Sequence, residues 1–162
     1  MKLGRTIAEF QVGQTCEFSR KFSERDTELM AELIGDHNPF HYPCEFASKS
    51  RFHAPIIHGW LVGGMICHFG GDLYPGPGCI AEKIELSFLK PVYFDETIRA
   101  VCTILEVDEK RHRIKFGMEC FNEKGEKVVK GSAIGLPTQI DLSDTQVDST
   151  ISSTPIDLNS NK

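Results

Sequence analysis

The chain has 162 residues, of which 40% are hydrophobic and 25% charged, a composition typical of one folded globular domain. Its formal net charge of −5 argues against sequence-independent binding to nucleic acid or to an anionic membrane, since both need a basic surface. The six cysteines are scattered without a C-x-x-C pair, which favours reduced, packed thiols over disulfides or a zinc site.

The first elements in chain order are a strand and a helix. The first ten residues lack the apolar segment of a secretory signal, so we expect a cytoplasmic protein. Residues 14–22 indicate a strand. Ser23 is a suitable N-cap for a helix over residues 24–34, and Gly35 is suited to end it.

Residues 36–41 must form a turn or loop. Pro39 lacks an N–H and moves Asn38 out of helical conformation, so the preceding helix cannot continue. A short helix is predicted over residues 43–48, and a connection over residues 51–55 leads to the next element.

Residues 56–69 are apolar on nearly every face, a pattern that predicts a helix buried all round. The segment is too short to cross a bilayer. Gly59, Gly63 and Gly64 lower its helix propensity, so we expect another element, such as a curved sheet, to pack closely against this backbone.

The second half of the chain predicts an antiparallel sheet. Strands are expected over residues 80–88, 98–107, 114–121 and 127–136, with a hairpin turn at residues 122–125. In the first of these strands the apolar residues Ile80, Ile84, Leu86 and Phe88 alternate with Ala81, Glu85 and Ser87. Residues 138–162 are rich in Ser, Thr, Asp and Asn and are predicted to be a disordered tail, which leaves residues 1–137 as the domain.

Two side chains of the predicted loop have the chemistry of an acid–base pair. A turn can bring the carboxylate of Asp36 and the imidazole of His41 onto one water molecule. Taken alone, Asp36 is more often a turn or capping residue, and His41 more often a surface or otherwise satisfied histidine.

The start of the next helix adds a third function. The free N–H of Gly59 can polarise a carbonyl oxygen, because the missing side chain lets a substrate approach the backbone. Tight helix–sheet packing would also explain this glycine. For His58 a structural hydrogen bond is favoured over direct catalysis.

These motifs resemble those of the MaoC-like dehydratases and (R)-specific enoyl-CoA hydratases. The segment GDHNPFH at residues 35–41, with Ala47 six residues later, matches the pattern G-D-x-N-P-x-H-x5-A. The segments PIIHG at residues 55–59 and LSFLKPV at residues 86–92 are also similar, and the resemblance covers about residues 10–136.

The resemblance implies an α+β hotdog fold, in which an antiparallel sheet wraps around a central helix, and a homodimer or larger homo-oligomer. It implies that Asp36 is the base toward water, that His41 orients the water and supplies a proton, and that the Gly59 N–H polarises a thioester carbonyl. Asn38 and His58 would border the substrate, Asn38 mainly by shaping the loop. Cys67 stands where related hydratases often have serine, which affects packing, the acyl pocket or the orientation of the aspartate.

The expected reaction is reversible hydration of a trans-2-enoyl thioester to an (R)-3-hydroxyacyl thioester, which requires no metal or other cofactor. Thioester hydrolysis and a non-catalytic acyl-binding role are the alternatives. The carrier stays open between coenzyme A and an acyl carrier protein: the acidic net charge disfavours an acidic carrier, but Lys49, Arg51 and Lys90 provide local positive charge.

Overall fold

A computed structural model describes residues 2–142 of the chain. One antiparallel sheet of five strands forms its main layer. The strands are β2 (Thr15–Lys21), β3 (Cys79–Phe88), β4 (Thr97–Asp108), β5 (Arg113–Phe121) and β6 (Lys127–Pro137), in the order β2-β4-β5-β6-β3. All four predicted strands of the second half are therefore confirmed, as is the strand before the first helix.

The first helix, α1 (Glu24–Ile34), has the predicted bounds. The Ser23 side chain accepts a hydrogen bond from the Asp26 N–H, and the Asp26 carboxylate accepts one in return from the Ser23 N–H at 2.7 Å. Gly35 ends the helix with φ of +76°, in the left-handed region that glycine adopts without steric cost. A second short helix, α2 (Glu45–Lys49), follows the loop.

The central helix differs from the prediction at both ends and in the middle. Residues 56 and 57 are extended, because Ile56 bridges to Tyr93 and the Ile57 N–H donates to the Val92 carbonyl at 2.8 Å. Helix begins only at Gly59 and is divided into α3 (Gly59–Gly63) and α4 (Met65–Gly71). It is not buried all round, since the Trp60 side chain is 58% exposed and Cys67 is also exposed.

The glycines of the central helix allow the close contact with the sheet that was expected of them. A Cβ atom on Gly59 would lie 2.9 Å from the Phe88 ring, and one on Gly63 would lie 2.7 Å from the Leu86 side chain. Both partners belong to β3. The helix therefore packs so closely against the edge strand that a larger residue at Gly59 or Gly63 would require the Phe88 or Leu86 side chain to move.

The core lies between the central helix and the inner face of the sheet. The predicted alternation in β5 is confirmed, because Ile114, Phe116, Met118 and Cys120 are all at most 2% exposed. The inner side chains of β4 and the helix residues Ile66 and Phe69 complete this layer. Burial of this apolar surface is the main stabilising contribution to the fold.

The predicted alternation in β3 is wrong at its first position. The register with β6 shifts between Ala81 and Lys83, so a β-bulge reverses the phase of the side chains. Ile80 stands opposite Leu136 and is 70% exposed, whereas Ile84 stands opposite Ala133 on the inner face.

The predicted tail is wrong over its first residues. A short strand β7 (Gln139–Asp141) pairs with β1 (Lys2–Gly4), so the folded region continues beyond residue 137. The rest of the predicted tail, residues 143–162, lies outside the described residues.

All six cysteines are free, as the sequence predicted, but only Cys102 and Cys120 are fully buried. Burial raises the pKa of each of these two thiols to about 12. Cys44 and Cys67 are exposed and do not fit the expectation of packed thiols. None of the helices within residues 2–142 has the length and apolarity needed to cross a membrane.

Candidate active site

The loop after α1 is held in shape by its own side chains. The Asn38 N–H donates to Oδ1 of Asp36 at 3.2 Å, and the Phe40 N–H donates to Oδ1 of Asn38 at 3.2 Å. Pro39 then begins a single 3-10 turn, Pro39–His41. Asp36 is thus a turn residue, as the simpler interpretation had it, but only one of its carboxylate oxygens is used in this way.

The second carboxylate oxygen of Asp36 faces two imidazoles. Oδ2 lies 3.8 Å from Nε2 of His41 and 3.7 Å from Nε2 of His58. The Asp36 side chain is 45% exposed, whereas those of His41 and His58 are 12% and 2% exposed. The carboxylate therefore reaches solvent while its two partners form the wall behind it.

A backbone contact fixes the orientation of the His41 ring. Nδ1 of His41 lies 2.8 Å from the carbonyl oxygen of Ile56, so this nitrogen carries the hydrogen that is donated. In neutral His41, Nε2 is therefore the acceptor, and it points toward Asp36. The extended conformation of Ile56 provides this carbonyl, which is why the later start of the helix matters for the site.

His58 lies behind the other two residues and joins the loop to the helix. Its Nε2–H donates to the backbone carbonyl of Asp36 at 2.9 Å, and its ring stacks on that of His41 with centroids 3.7 Å apart. Burial lowers the pKa of His58, which keeps the ring neutral. Its Nδ1 is buried without a partner among the described residues. These contacts favour the structural role for His58.

A cavity of about 290 Å³ opens beside this cluster. His41 and Gly59 both line it, with apolar walls from Ile57, Val62 and Val129 among others. Gly59 is the first residue of α3, and its N–H has no acceptor among the described residues. His41, the predicted partner of the base Asp36, and Gly59, the predicted donor to the thioester oxygen, therefore line the same cavity.

The remaining predicted residues lie apart from this cavity. Asn38 shapes the loop and does not line the cavity. Cys67 lies on α4 and lines a different cavity of about 190 Å³ with Cys79 and Phe116, so within one chain it does not orient Asp36. The sequence did not indicate that Phe88 would wall the site, because this contact joins β3 to the start of α3.

The same cluster has the residue types of a metal site. The ligand atoms of Asp36, His41 and His58 lie within 4.8 Å of one another. However, the Nε2 of His58 already carries the hydrogen donated to the loop, and the two rings stack with an angle of 27° between their planes. Stacked rings direct their lone pairs side by side rather than toward one ion, so the geometry suits proton transfer better than metal binding.

Comparisons with known proteins identify the family. Residues 8–121 match the model of the MaoC like domain. The chain belongs to the MaoC-like family. One relative is an (R)-specific enoyl-CoA hydratase of Rhodospirillum rubrum, 31% identical over 77% of this chain and 86% of that protein. A mitochondrial 3-hydroxyacyl-[acyl-carrier-protein] dehydratase of Arabidopsis thaliana is 30% identical, over 82% of this chain and 80% of its own length.

The solved structures agree with this placement. The unliganded R-hydratase of Pseudomonas aeruginosa superimposes with a TM-score of 0.75 at 30% identity, over 90% of this MaoC-like chain and 96% of that one. The five-stranded sheet with the central helix packed against it is therefore the hotdog fold that the sequence motifs implied.

Proposed function

We propose that this MaoC-like protein catalyses the reversible hydration of a trans-2-enoyl thioester to an (R)-3-hydroxyacyl thioester. The observation that carries the proposal is the pairing of Asp36 Oδ2 with His41 Nε2 at 3.8 Å beside a cavity that Gly59 also lines. At this separation one water molecule beside the two atoms can hydrogen-bond to both. The (R) configuration rests on the names of the relatives.

Proton transfer alone completes the proposed reaction, so it requires no metal or redox cofactor. Asp36 removes a proton from the water as its oxygen bonds to C3 of the substrate. His41, protonated at Nε2, delivers a proton to C2, and the proton on Asp36 then returns to His41. Nδ1 of His41 keeps its hydrogen bond to the Ile56 carbonyl in both protonation states, so the ring does not need to turn.

The Gly59 N–H is the group proposed to stabilise the negative charge that develops on the thioester oxygen during addition to C3. Its hydrogen has no competing acceptor among residues 2–142, and glycine leaves the approach to it open. A preorganised donor of this kind is typically worth about 10²–10³ in rate.

The decisive experiment measures two products from the same reaction. Crotonyl-, octenoyl- and dodecenoyl-CoA are incubated with the protein while loss of the enoyl absorbance and release of free thiol are both recorded. Hydration predicts loss of absorbance without thiol release, followed by recovery of the (R) alcohol on chiral analysis. Thiol release at the same rate would establish hydrolysis instead, and absence of both with every thioester would favour the non-catalytic binding role.

We also propose that the protein is a homodimer joined at the free edge of β3. Within residues 2–142 this strand ends the sheet and its outer edge pairs with no other strand, and Ile84, Phe88 and the neighbouring Trp60 are 38%, 51% and 58% exposed. An exposed apolar edge of this kind pairs readily with another strand. Sedimentation analysis should give twice the chain mass, and an Ile84→Glu variant should sediment as a monomer; a monomeric native protein would contradict this assembly.

A further inference from the structure

Two cysteines stand directly opposite each other on neighbouring strands. Cys16 of β2 is the register partner of Cys102 of β4, and the pairing of these strands runs from Thr15 to Lys21 without a break. Directly opposite side chains of an antiparallel pair point to the same face of the sheet. Here it is the inner face, because Cys102 is fully buried and Cys16 packs against the core. Both thiols are free.

The four other cysteines have no cysteine opposite them. Cys120, the second fully buried thiol, stands opposite Ala100 on β4 and Val129 on β6, and Cys79 stands opposite Pro137. The remaining two lie outside the strands. The paired strands of residues 2–142 therefore contain a single cross-strand pair of thiols.

The hydrogen bonds before the pair define its backbone geometry. The Ile104 N–H donates to the Gln14 carbonyl at 2.9 Å, and such bonds recur at every second position along an antiparallel pair. Cys16 and Cys102 are two positions further along, so they form a hydrogen-bonded pair with Cα atoms about 5.5 Å apart. Disulfides most often join Cα atoms about 5.5–6 Å apart. The backbone therefore already brings the two residues within reach of one disulfide.

The Cβ atoms of the pair make such a bond possible but strained. Directly opposite Cβ atoms lie about 4.5–5.5 Å apart, whereas a disulfide prefers about 3.8 Å. Strand β2 can move to close this difference, because it is an edge strand that pairs only with β4 within residues 2–142. A strained disulfide is more easily reduced than a relaxed one, so the bond would be reversible.

We propose that a peroxide oxidises Cys16 and Cys102 to a reversible disulfide that joins β2 to β4. Sγ of Cys16 attacks the peroxide first, since this residue is partly exposed and Cys102 is 0% exposed. An S–O bond forms and the O–O bond breaks, which leaves a sulfenic acid on Cys16 and releases water or an alcohol. Sγ of Cys102 then forms the S–S bond as the S–O bond breaks, and the hydroxide leaves with the thiol proton as water. The two thiols lose two electrons and the peroxide gains them.

The surroundings of Cys102 restrict its reactivity to this neighbour. Burial, with smaller contributions from the nearby Cys16 and Cys79 thiols, raises the pKa of Cys102 to about 12. Almost no thiolate is present near neutral pH, so Cys102 resists direct oxidation by a peroxide. A sulfenic acid on the opposite residue is held beside it, and this proximity compensates for the small thiolate fraction.

The disulfide would restrain the part of the chain that leads to the proposed site. Strand β2 is followed by α1, and α1 ends at Gly35 before the loop of Asp36. A bond between Cys16 and Cys102 also closes a long loop in the unfolded chain, which lowers the entropy of that state. Oxidation should therefore stabilise the attachment of β2 and α1 to the rest of the sheet.

Mass spectrometry after mild treatment with hydrogen peroxide tests the pair directly. A peptide that links Cys16 to Cys102 should appear in the non-reduced digest of the native chain, and dithiothreitol should remove it. Cys16→Ser and Cys102→Ala should each prevent the link. Cys120→Ala, which removes an equally buried thiol with no cysteine opposite, should leave it unchanged. Free thiols at both positions after the exposed cysteines are oxidised would overturn the proposal, as would a link from Cys102 to Cys79.

Thermal unfolding of the oxidised and reduced chains tests the effect on stability. The Tm of the oxidised native chain should be roughly 5 °C above that of the reduced chain. This difference should disappear in Cys16→Ser and persist in Cys120→Ala. An oxidised Tm equal to or below the reduced one would overturn the stabilising role of the bond. Neither experiment requires turnover of a thioester, so both outcomes are independent of the proposed function.

Discussion

The two ends of the central helix each have an aspartate–histidine pair, but only one pair has the surroundings of a catalytic site. At the far end of α4, Nδ1 of His68 and Oδ2 of Asp72 are 3.0 Å apart. The corresponding distance between His41 and Asp36 is longer, at 3.8 Å. However, the His68 and Asp72 side chains are 35% and 71% exposed, and neither residue lines a described cavity. A pair in this position is an ordinary surface contact between side chains four residues apart, worth at most about 1 kcal/mol.

The difference lies in the surroundings that favour Asp36 and His41 as the proposed catalytic pair. Nδ1 of His41 donates a hydrogen bond to the Ile56 carbonyl, which fixes the nitrogen that faces the carboxylate, and the ring stacks on that of His58. At 3.8 Å Oδ2 of Asp36 and Nε2 of His41 do not bond to each other, so both can bond to a water beside them, whereas His68 and Asp72 bond directly to each other. Burial, orientation and the lack of a direct bond therefore distinguish the two ends.

The largest expected effect comes from exchanging the carboxylates for amides at the two ends. Asp36→Asn should lower kcat for crotonyl-CoA hydration by a hundredfold or more, because the amide cannot remove a proton from water. The fold should persist, since the new side chain still accepts the hydrogen bond from the Asn38 N–H. Asp72→Asn is the matched control and should leave kcat within twofold; near-native activity of the Asp36 variant would end the assignment.

A smaller effect is expected from adding one methyl group at each end. In Gly59→Ala the new Cβ would meet the Phe88 ring at 2.9 Å, so the ring must move in the wall of the cavity. We expect kcat/KM to fall by about ten- to a hundredfold through the displaced ring and the obstructed N–H. Gly71→Ala meets nothing within 4 Å and should retain native kinetics. Equal losses in both variants would show that general loosening of the helix is responsible.

His58, near the start of the central helix, should make the stability of the folded chain depend on pH. Burial lowers its pKa in the folded chain, so the unfolded chain binds more protons as the pH falls through about 6.5. Stability should therefore decrease between pH 7.5 and pH 5.5. His58→Gln keeps a hydrogen-bond donor but does not titrate, so its Tm should fall less over this interval than the native Tm; parallel curves would contradict the buried, neutral state.

The smallest effect is expected for the thiol at the far end. Cys67→Ser should change kcat by less than twofold, because Cys67 lies outside the cavity that His41 lines. Cys67 and Cys44 should react quickly with a thiol reagent, and Cys102 and Cys120 slowly, since their raised pKa values leave almost no thiolate. A severalfold change of kcat in Cys67→Ser would contradict this prediction and show that Cys67 affects the proposed site at the other end of the helix.

Local patterns in the sequence predicted much of this molecule. The bounds of α1 follow from Ser23 and Gly35, which act on their immediate neighbours, and the alternation in β5 follows from strand geometry. The proximity of Asp36 and His41 was also predictable, because Pro39 forces a turn between them. Each of these inferences depends on interactions within a few residues of the chain.

The remaining features depend on contacts between distant parts of the chain. The hydrogen bond from His58 to the Asp36 carbonyl spans 22 positions, and Ile56 is extended because of Tyr93. The bulge that turns Ile80 outward belongs to the pairing of β3 with β6, which alternation alone does not show. Trp60 is apolar and yet 58% exposed, which a pattern of apolar residues alone does not reveal.

The pairing of β1 with β7 places the two ends of the described chain side by side. Lys2 stands opposite Asp141, and Gly4 stands opposite Gln139. A short peptide linker could therefore join residue 142 to residue 2 and close the chain into a ring. New ends could then be opened in the turn at residues 122–125, where Gly125 meets no neighbour within 4 Å. Such a circular permutant would keep the loop of Asp36 and the start of α3 on one uninterrupted segment.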